Sequence, residues 1–403
     1  MKRVILLLSI TFALVVAAAF VIPAQRGSEG GVYIGALAEN DGGVDGSVDD
    51  LLGNLDLSGV QGILDTLSSD SVALFGFGDI VSRLRAVASG NYENDVGGIL
   101  SYMTALLGSD IFEFLPMMMA CLAIVLAYNI INSVKGSFAS ESVERVVYFA
   151  TGTIAVSVVV GYFSAVMAGA VGFVVSIKNQ INVVSPVLLT LMTAAGATSS
   201  SGVYAPSVAV LGSGMTNIVT YLAFPALLMG LVFDVIGSVS TSIKLDKTSD
   251  FFRSACKWFL ATAFFLFVTI IGVSGITASV RDGISIRAAK FAVSKYVPVI
   301  GGYLSQGFDF VMAGNVLIKN ALGSSAVVLI ILCAAPVISK LIVFNLTLKL
   351  TAAIAEPLGG NKICGILTSV SKSSSVMTAI IAAMTFLYIL FLSMVIFTGN
   401  MAL

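Results

Sequence analysis

The chain has 403 residues, of which 57% are hydrophobic and 11% charged, with a net charge of −1 and a mean hydropathy of +1.01. Soluble domains carry about 25% charged residues, so a chain this apolar cannot be wetted over its whole surface, and its near-zero charge gives no reason to expect nucleic acid. It contains no histidine, which removes the commonest general base, the usual metal ligand and any imidazole switch.

Residues 1–24, MKRVILLLSITFALVVAAAFVIPA, place Lys2 and Arg3 before an apolar run, the pattern of a signal peptide or signal anchor. Residues 27–110 then carry thirteen acidic side chains against only Arg83 and Arg85. Cytoplasmic segments beside membrane spans favour Lys and Arg, so this acidic segment is expected to be exported. ENDGGVDGSVDD reads as disordered. Leu51, Leu55, Ile63 and Leu67 recur at helical spacing and predict two or three short amphipathic helices against the membrane or a partner.

From residue 111 to 400 the chain reads as membrane domain. A span at 111–134 leads into the polar loop KGSFASESVER, which carries Lys135 and Arg145 and is placed inside. A second span follows at 146–177. The stretch 181–199 is shorter and is interrupted by Pro186 and Gly196, before a full-length span at 208–237. Lys244, Lys247, Arg253 and Lys257 outnumber Asp246 and Asp250 and predict a cytoplasmic loop that could meet a partner. Placing that loop inside requires an odd number of crossings after Lys178, so 181–199 is expected to be re-entrant. Spans at 258–280, 324–348 and 374–400 complete six crossings. The four cysteines, Cys121, Cys256, Cys333 and Cys364, lie far apart in sequence and read as packing residues rather than a zinc or disulfide set.

The segment 281–320 does not fit that pattern, because Arg281, Arg287, Lys290 and Lys295 fall on the outer side. At 100° per residue, Arg287, Lys290 and Lys295 share one helical face and Ala289, Ala292, Val293 and Tyr296 the other. Pro298, Gly301 and Gly302 predict a break, after which Gln306, Asp309, Asn315 and Lys319 give a polar continuation. Three readings are open: a helix lying on lipid headgroups, docking on an acidic surface that includes the chain's own residues 39–56, and a broken hairpin lining a cavity.

The string IRAAKFAVSKYVPVIGGYLSQGFDFVMAGNVLIKNALG, residues 286–323, resembles the most recognisable block of the stage III sporulation protein AE family. The export signal, acidic segment and multi-span region match the family's plan. The resemblance implies a non-enzymatic, multi-pass subunit of the channel complex, or feeding tube, joining mother cell and forespore. It would sit in the mother-cell membrane around the forespore and be needed for late forespore development and activation of the late forespore sigma factor. The partners implied are membrane lipid, a motor ATPase, small membrane subunits, ring-forming proteins and further copies of itself. It implies no cofactor and no catalytic residue.

The fold expected is therefore all-α: a polytopic helical membrane protein of about six spans with re-entrant or amphipathic hairpins. The alternative function is a secondary transporter or permease for a small solute, for which broken helices are a sign. Its candidate carboxylates are few: Glu113, Asp234 and Asp309. No G-x-S-x-G, H-E-x-x-H or Walker A pattern supports an enzyme or a self-sufficient pump.

Overall fold

The computed structural model describes residues 52–53, 55–67, 69–76, 78–89, 96–134, 141–239, 245–296 and 301–400. The expected signal or anchor at 1–24, the acidic stretch up to residue 51, Lys244 and Pro298 lie outside them. All the elements formed by the described residues are helical. Three short helices come first: α1 (Ser58–Leu64), α2 (Ser69–Phe75) and α3 (Ile80–Ala88). Six long ones follow: α4 (Val96–Val134), α5 (Glu141–Ala194), α6 (residues 198–239), α7 (Asp246–Tyr296), α8 (Gly301–Ala355) and α9 (Asn361–Asn400). Each of the six is long and apolar enough to cross a membrane, and the chain is a multi-pass membrane protein.

Cross-helix contacts fix the directions. Lys340 of α8 pairs with Glu113 of α4 at 2.6 Å, and Gly360 just beyond α8 packs on Val125, so α4 and α8 run parallel. Gln180 of α5 donates to the Cys333 thiol at 3.3 Å, while Leu188 lies by Gly323, so α5 runs against α8. Helix α9 also runs against α8: Asn345 meets Ser371, and Lys319 donates to the Ile396 carbonyl at 2.9 Å. Helices α8 and α9 form the centre, and Phe344 of α8 packs against Phe114 of α4 and Phe163 of α5.

The stretch 181–199 is not re-entrant. Helix α5 runs unbroken through Pro186 to Ala194, and the turn comes at residues 195–197. In a packed membrane bundle, neighbouring helices and side chains tolerate a proline inside a helix. Here Thr190 Oγ1 donates back to the Pro186 carbonyl at 2.9 Å. The real stop is Gly196, whose φ of +84° suits glycine. The Ala197 N–H reaches the Met192 carbonyl and the Gly196 N–H the Thr193 carbonyl, the paired bonds of a Schellman ending. Gly359, at φ +79°, ends α8 by the same device.

Helix α6 begins without a capping side chain of its own, since Ala197 stands at its N-cap. The cap comes from α7: the buried Asp282 carboxylate accepts from the Ser199 and Ser200 N–H groups, each at 2.8 Å. An anion at a helix N-terminus satisfies orphan donors and complements the helix dipole. Further along, α6 widens into π turns at Val210–Met215 and Val219–Ala223, between Pro206 and Pro225. A side chain on Gly212 there would sit 3.0 Å from Asn182 Oδ1 and 3.1 Å from Ile181 Cγ2 of α5.

Replacing Asp282 strips two charge-assisted bonds from buried donors. Asp282→Ala is expected to destabilise the detergent-solubilised protein by about 1–2 kcal/mol. Asp282→Asn, with only one acceptor oxygen, should fall between it and the parent. Thermal denaturation checks this, and an unchanged midpoint for Asp282→Ala would remove the cap from the account.

Candidate partner-docking surface

Helices α7 and α8 pair as a hairpin that outlasts the other helices. Lys319 of α8 is level with Ile396 near the end of α9, and Ser279 of α7 donates to the Thr398 carbonyl at 3.2 Å. Gly196, at the α5–α6 turn, lies against Ile286 and Met312. Beyond that level, residues 287–296 and 301–311 pack only on each other among the described residues. The expected broken segment 281–320 is thus the end of one continuous helix and the start of another, and 297–300 lie outside the described residues.

Ile286, Lys290 and Val293 face α8 along one stripe of α7. Lys290 pairs with Asp309, tying the two arms. Gly301 lets them close: a side chain there would meet the Val293 carbonyl at 2.5 Å. Gly302 faces open space. Arg287 and Lys295 are exposed, as is Arg281. Asn315 is buried and donates to the Val311 carbonyl of its own helix at 2.9 Å. Lys319 is fully buried against α9. The nine expected residues therefore divide: Arg287, Lys295 and Gly302 on the hairpin surface, Lys290, Asp309 and Gly301 between its arms, Asn315 and Lys319 inside the bundle, and Pro298 outside the described residues.

The expected cytoplasmic loop is largely helical, because α7 starts at Asp246. Lys247 and Lys257 are exposed on its first turns. Arg253 is buried, and its guanidinium pairs with Asp234 of α6 and, at 2.7 Å, with Asp250. It clamps the α6–α7 hairpin instead of offering itself to a partner. A buried carboxylate demands that neutralisation.

These groups belong to one charged level across the bundle. Asp110 and Glu113 of α4 meet Ser339 and Lys340 of α8, at 2.6 Å in both cases. Five residues further along α8, Asn345 bonds Ser371 of α9, and the adjacent Lys372 interacts with Asp250. All lie within about two helical turns. On the hairpin side of this level come uncharged stretches, 258–280 on α7, 320–339 on α8 and 373–400 on α9, whereas the uncharged run 114–134 of α4 and most of 146–177 of α5 lie on its far side. Each suffices for a hydrocarbon core of about 30 Å.

The short helices dock on the flank of the bundle, on the hairpin side of the charged level. Gly59 of α1 packs on Val183, and the Gln61 side chain ties α1 to the Gly78 carbonyl and the Ile80 N–H. Asp79 caps α3 by accepting from the Ser82 N–H at 3.0 Å, which holds its carboxyl below the ordinary range. Arg83 of α3 is buried and reaches Ser325 of α8 at 3.3 Å. Sequence reasoning missed Arg83, Asp282 and Arg253 as buried charges. The available signal was a lone charge inside an apolar helical pattern, which normally implies a paired partner.

The model that describes the family "Stage III sporulation protein AE" matches residues 79–399. The chain belongs to that family. A protein named Stage III sporulation protein AE from Bacillus subtilis (strain 168) is 25% identical over 274 residues, covering 68% of this chain and 69% of the relative. No solved structure matches. The match takes in α3, the whole bundle and the hairpin. Family membership ties this chain to sporulation.

The clamp gives a direct test. Arg253→Leu leaves the buried Asp234 carboxylate without its cation and should cost about 3–5 kcal/mol, whereas Asp234→Leu leaves Arg253 with the exposed Asp250 alone and should cost less. The double variant should be more stable than either single one. Denaturation of the solubilised proteins measures this, and simple additivity of the two losses would show that the pair does not act as a unit.

Proposed function

We propose that this protein is a non-enzymatic membrane subunit of the assembly joining mother cell and forespore, and that its α7–α8 hairpin is the element through which it meets other components. Family membership and the projecting cationic hairpin carry this reading. The far end of the bundle holds Arg145, Lys247, Lys257, Lys349, Lys362 and Lys372, and the positive-inside tendency favours the mother-cell cytoplasm for it. A motor ATPase would meet the protein there. The hairpin then faces the space between the two membranes, where ring-forming proteins would meet it. Assembly with small membrane subunits and with further copies completes the proposal, and late forespore development with its sigma-factor activation depends on it.

Transport of a small solute is the second reading, favoured by buried polar atoms around the irregular part of α6. Thr216 and Thr220 hydroxyls, Gln180 Oε1 and Tyr388 OH find no hydrogen-bond partner among the described residues. Against it, all three candidate carboxylates are ion-paired: Glu113 with Lys340, Asp234 with Arg253 and Asp309 with Lys290. Solute uptake by the purified protein in vesicles would favour transport over the assembly role.

Charge reversal at the hairpin, Lys290→Glu with Lys295→Glu, should lower the yield of heat-resistant spores by at least an order of magnitude. Lys372→Glu at the far end should be milder. Immunoblots of membrane fractions separate this from loss of the protein, and equal tolerance at both places would remove the hairpin from the proposal.

A further inference from the structure

The hairpin exposes more apolar surface than a lone structure in water keeps. Large apolar side chains stand exposed along α7 from Phe251 through Trp258, Phe265 and Val273 to Phe291. That stripe spans 40 helical steps, about 60 Å, or twice the thickness of a hydrocarbon core. Lipid around the uncharged stretch 258–280 covers its middle. Beyond Arg281 it continues with Ile284 and Phe291, then Tyr296, which is 79% exposed. The facing arm adds Tyr303, 76% exposed, and Phe308. Arg281, Arg287 and Lys295 are interleaved with them and take part in no ion pair among the described residues. Contiguous exposed apolar patches normally mark an interaction site.

Three excess cations on each hairpin disfavour a second hairpin as the occupant, because like charges would face each other. The chain itself carries a complementary segment. Residues 32–38, VYIGALA, are apolar; residues 39–50, ENDGGVDGSVDD, contain Glu39, Asp41, Asp45, Asp49 and Asp50 and no cation. The apolar half matches the exposed aromatics and the acidic half the unpaired cations.

Position and reach agree. The described chain begins at Leu52, which is buried, and α1 is tied to α3 through Gln61. Arg83 of α3 sits on Ser325, sixteen residues along α8 from Asp309, or about 24 Å. Residues 39–51, drawn out, cover about 43–47 Å. The stretch ahead of Leu52 therefore starts on the hairpin half of the bundle. With about 23–47 Å of drawn-out chain between them and Leu52, Asp45, Asp41 and Glu39 can reach the cationic arm, whereas Asp49 and Asp50 are tethered too close to Leu52.

We infer that residues 32–51 of this chain dock along the outer part of the α7–α8 hairpin, with their acidic half on Arg281, Arg287 and Lys295. The hairpin's partner surface is then covered until a competitor displaces this segment. The inference does not depend on the role in sporulation, because α1–α3 and the hairpin lie on the same side of the charged level by their own contacts.

Disulfide trapping tests it on the full chain in membranes, in a background lacking the four native cysteines. Asn40→Cys, whose drawn-out tether from Leu52 is long enough, is paired with Ser294→Cys on the hairpin, or with Ser254→Cys near the start of α7 as the control. Oxidation should give a fast-migrating monomeric crosslink with Ser294 and none with Ser254. Adding Glu39→Lys, Asp41→Lys and Asp45→Lys should cut the crosslinked fraction about tenfold, because three attractive pairs become repulsive. Combining those changes with Arg287→Glu and Lys295→Glu should restore it, which also shows that the reversed chain still folds. A crosslink no stronger than the control, or one indifferent to the charge reversals, would overturn the inference. A crosslink found only in dimers would assign the surface to a second copy and overturn it too.

Discussion

The length of the helices governs the rest of this structure. Helices α5, α7 and α8 contain 54, 51 and 55 residues, so each is about 76–83 Å long, whereas a hydrocarbon core is about 30 Å thick. No placement of one bilayer can cover them. Each must leave the lipid somewhere, and the charges show where. Asp110, Glu113, Asp234, Asp250, Arg253, Lys340 and Lys372 gather at one level, and Arg281, Arg287 and Lys295 lie beyond the opposite boundary. The pairs at the first level are intramolecular and hold helices together. The cations at the second are held by nothing else described in the chain.

That contrast divides polar groups that build the bundle from those that present a surface. Burying a charge is costly unless it is paired or hydrogen-bonded, and every buried charge discussed here has a polar partner. Arg253 has two carboxylates, Asp282 has two backbone donors, and Lys319 has the carbonyls at the end of α9. The Lys290–Asp309 pair makes the hairpin one unit, and Gly301 allows its arms to touch. A stiff hairpin can present Arg287 and Lys295 well clear of the bilayer. Such an arrangement serves recognition more readily than chemistry.

Composition and uncharged runs made the class of the fold legible in the sequence, along with the number of long helices. The helix ends were less so. Pro186 looked like a break, yet the bundle absorbs it; Gly196, ten residues on, carries the actual turn because only its backbone supports a positive φ there without strain. The cations of 281–295 were visible as a helical face, but not the fact that this face continues a membrane span. That depends on Asp282 reaching across to cap α6, a contact between residues more than eighty positions apart. Arg253 looked like one of four loop cations and is instead buried, since its partner Asp234 lies on the preceding helix. In each case local pattern gave the residue type, and tertiary pairing gave its role.

The central claim is that the α7–α8 hairpin stands in water on the side of the membrane opposite the start of α7. Single cysteines at Gln306 and Ser254, placed in a cysteine-free background, test it with a membrane-impermeant maleimide. The account predicts labelling at Gln306→Cys in intact cells, and labelling at Ser254→Cys only after the membrane is permeabilised. Labelling of Gln306→Cys only after permeabilisation, or at neither stage, would contradict it: the hairpin would then lie on the cytoplasmic side or within the lipid.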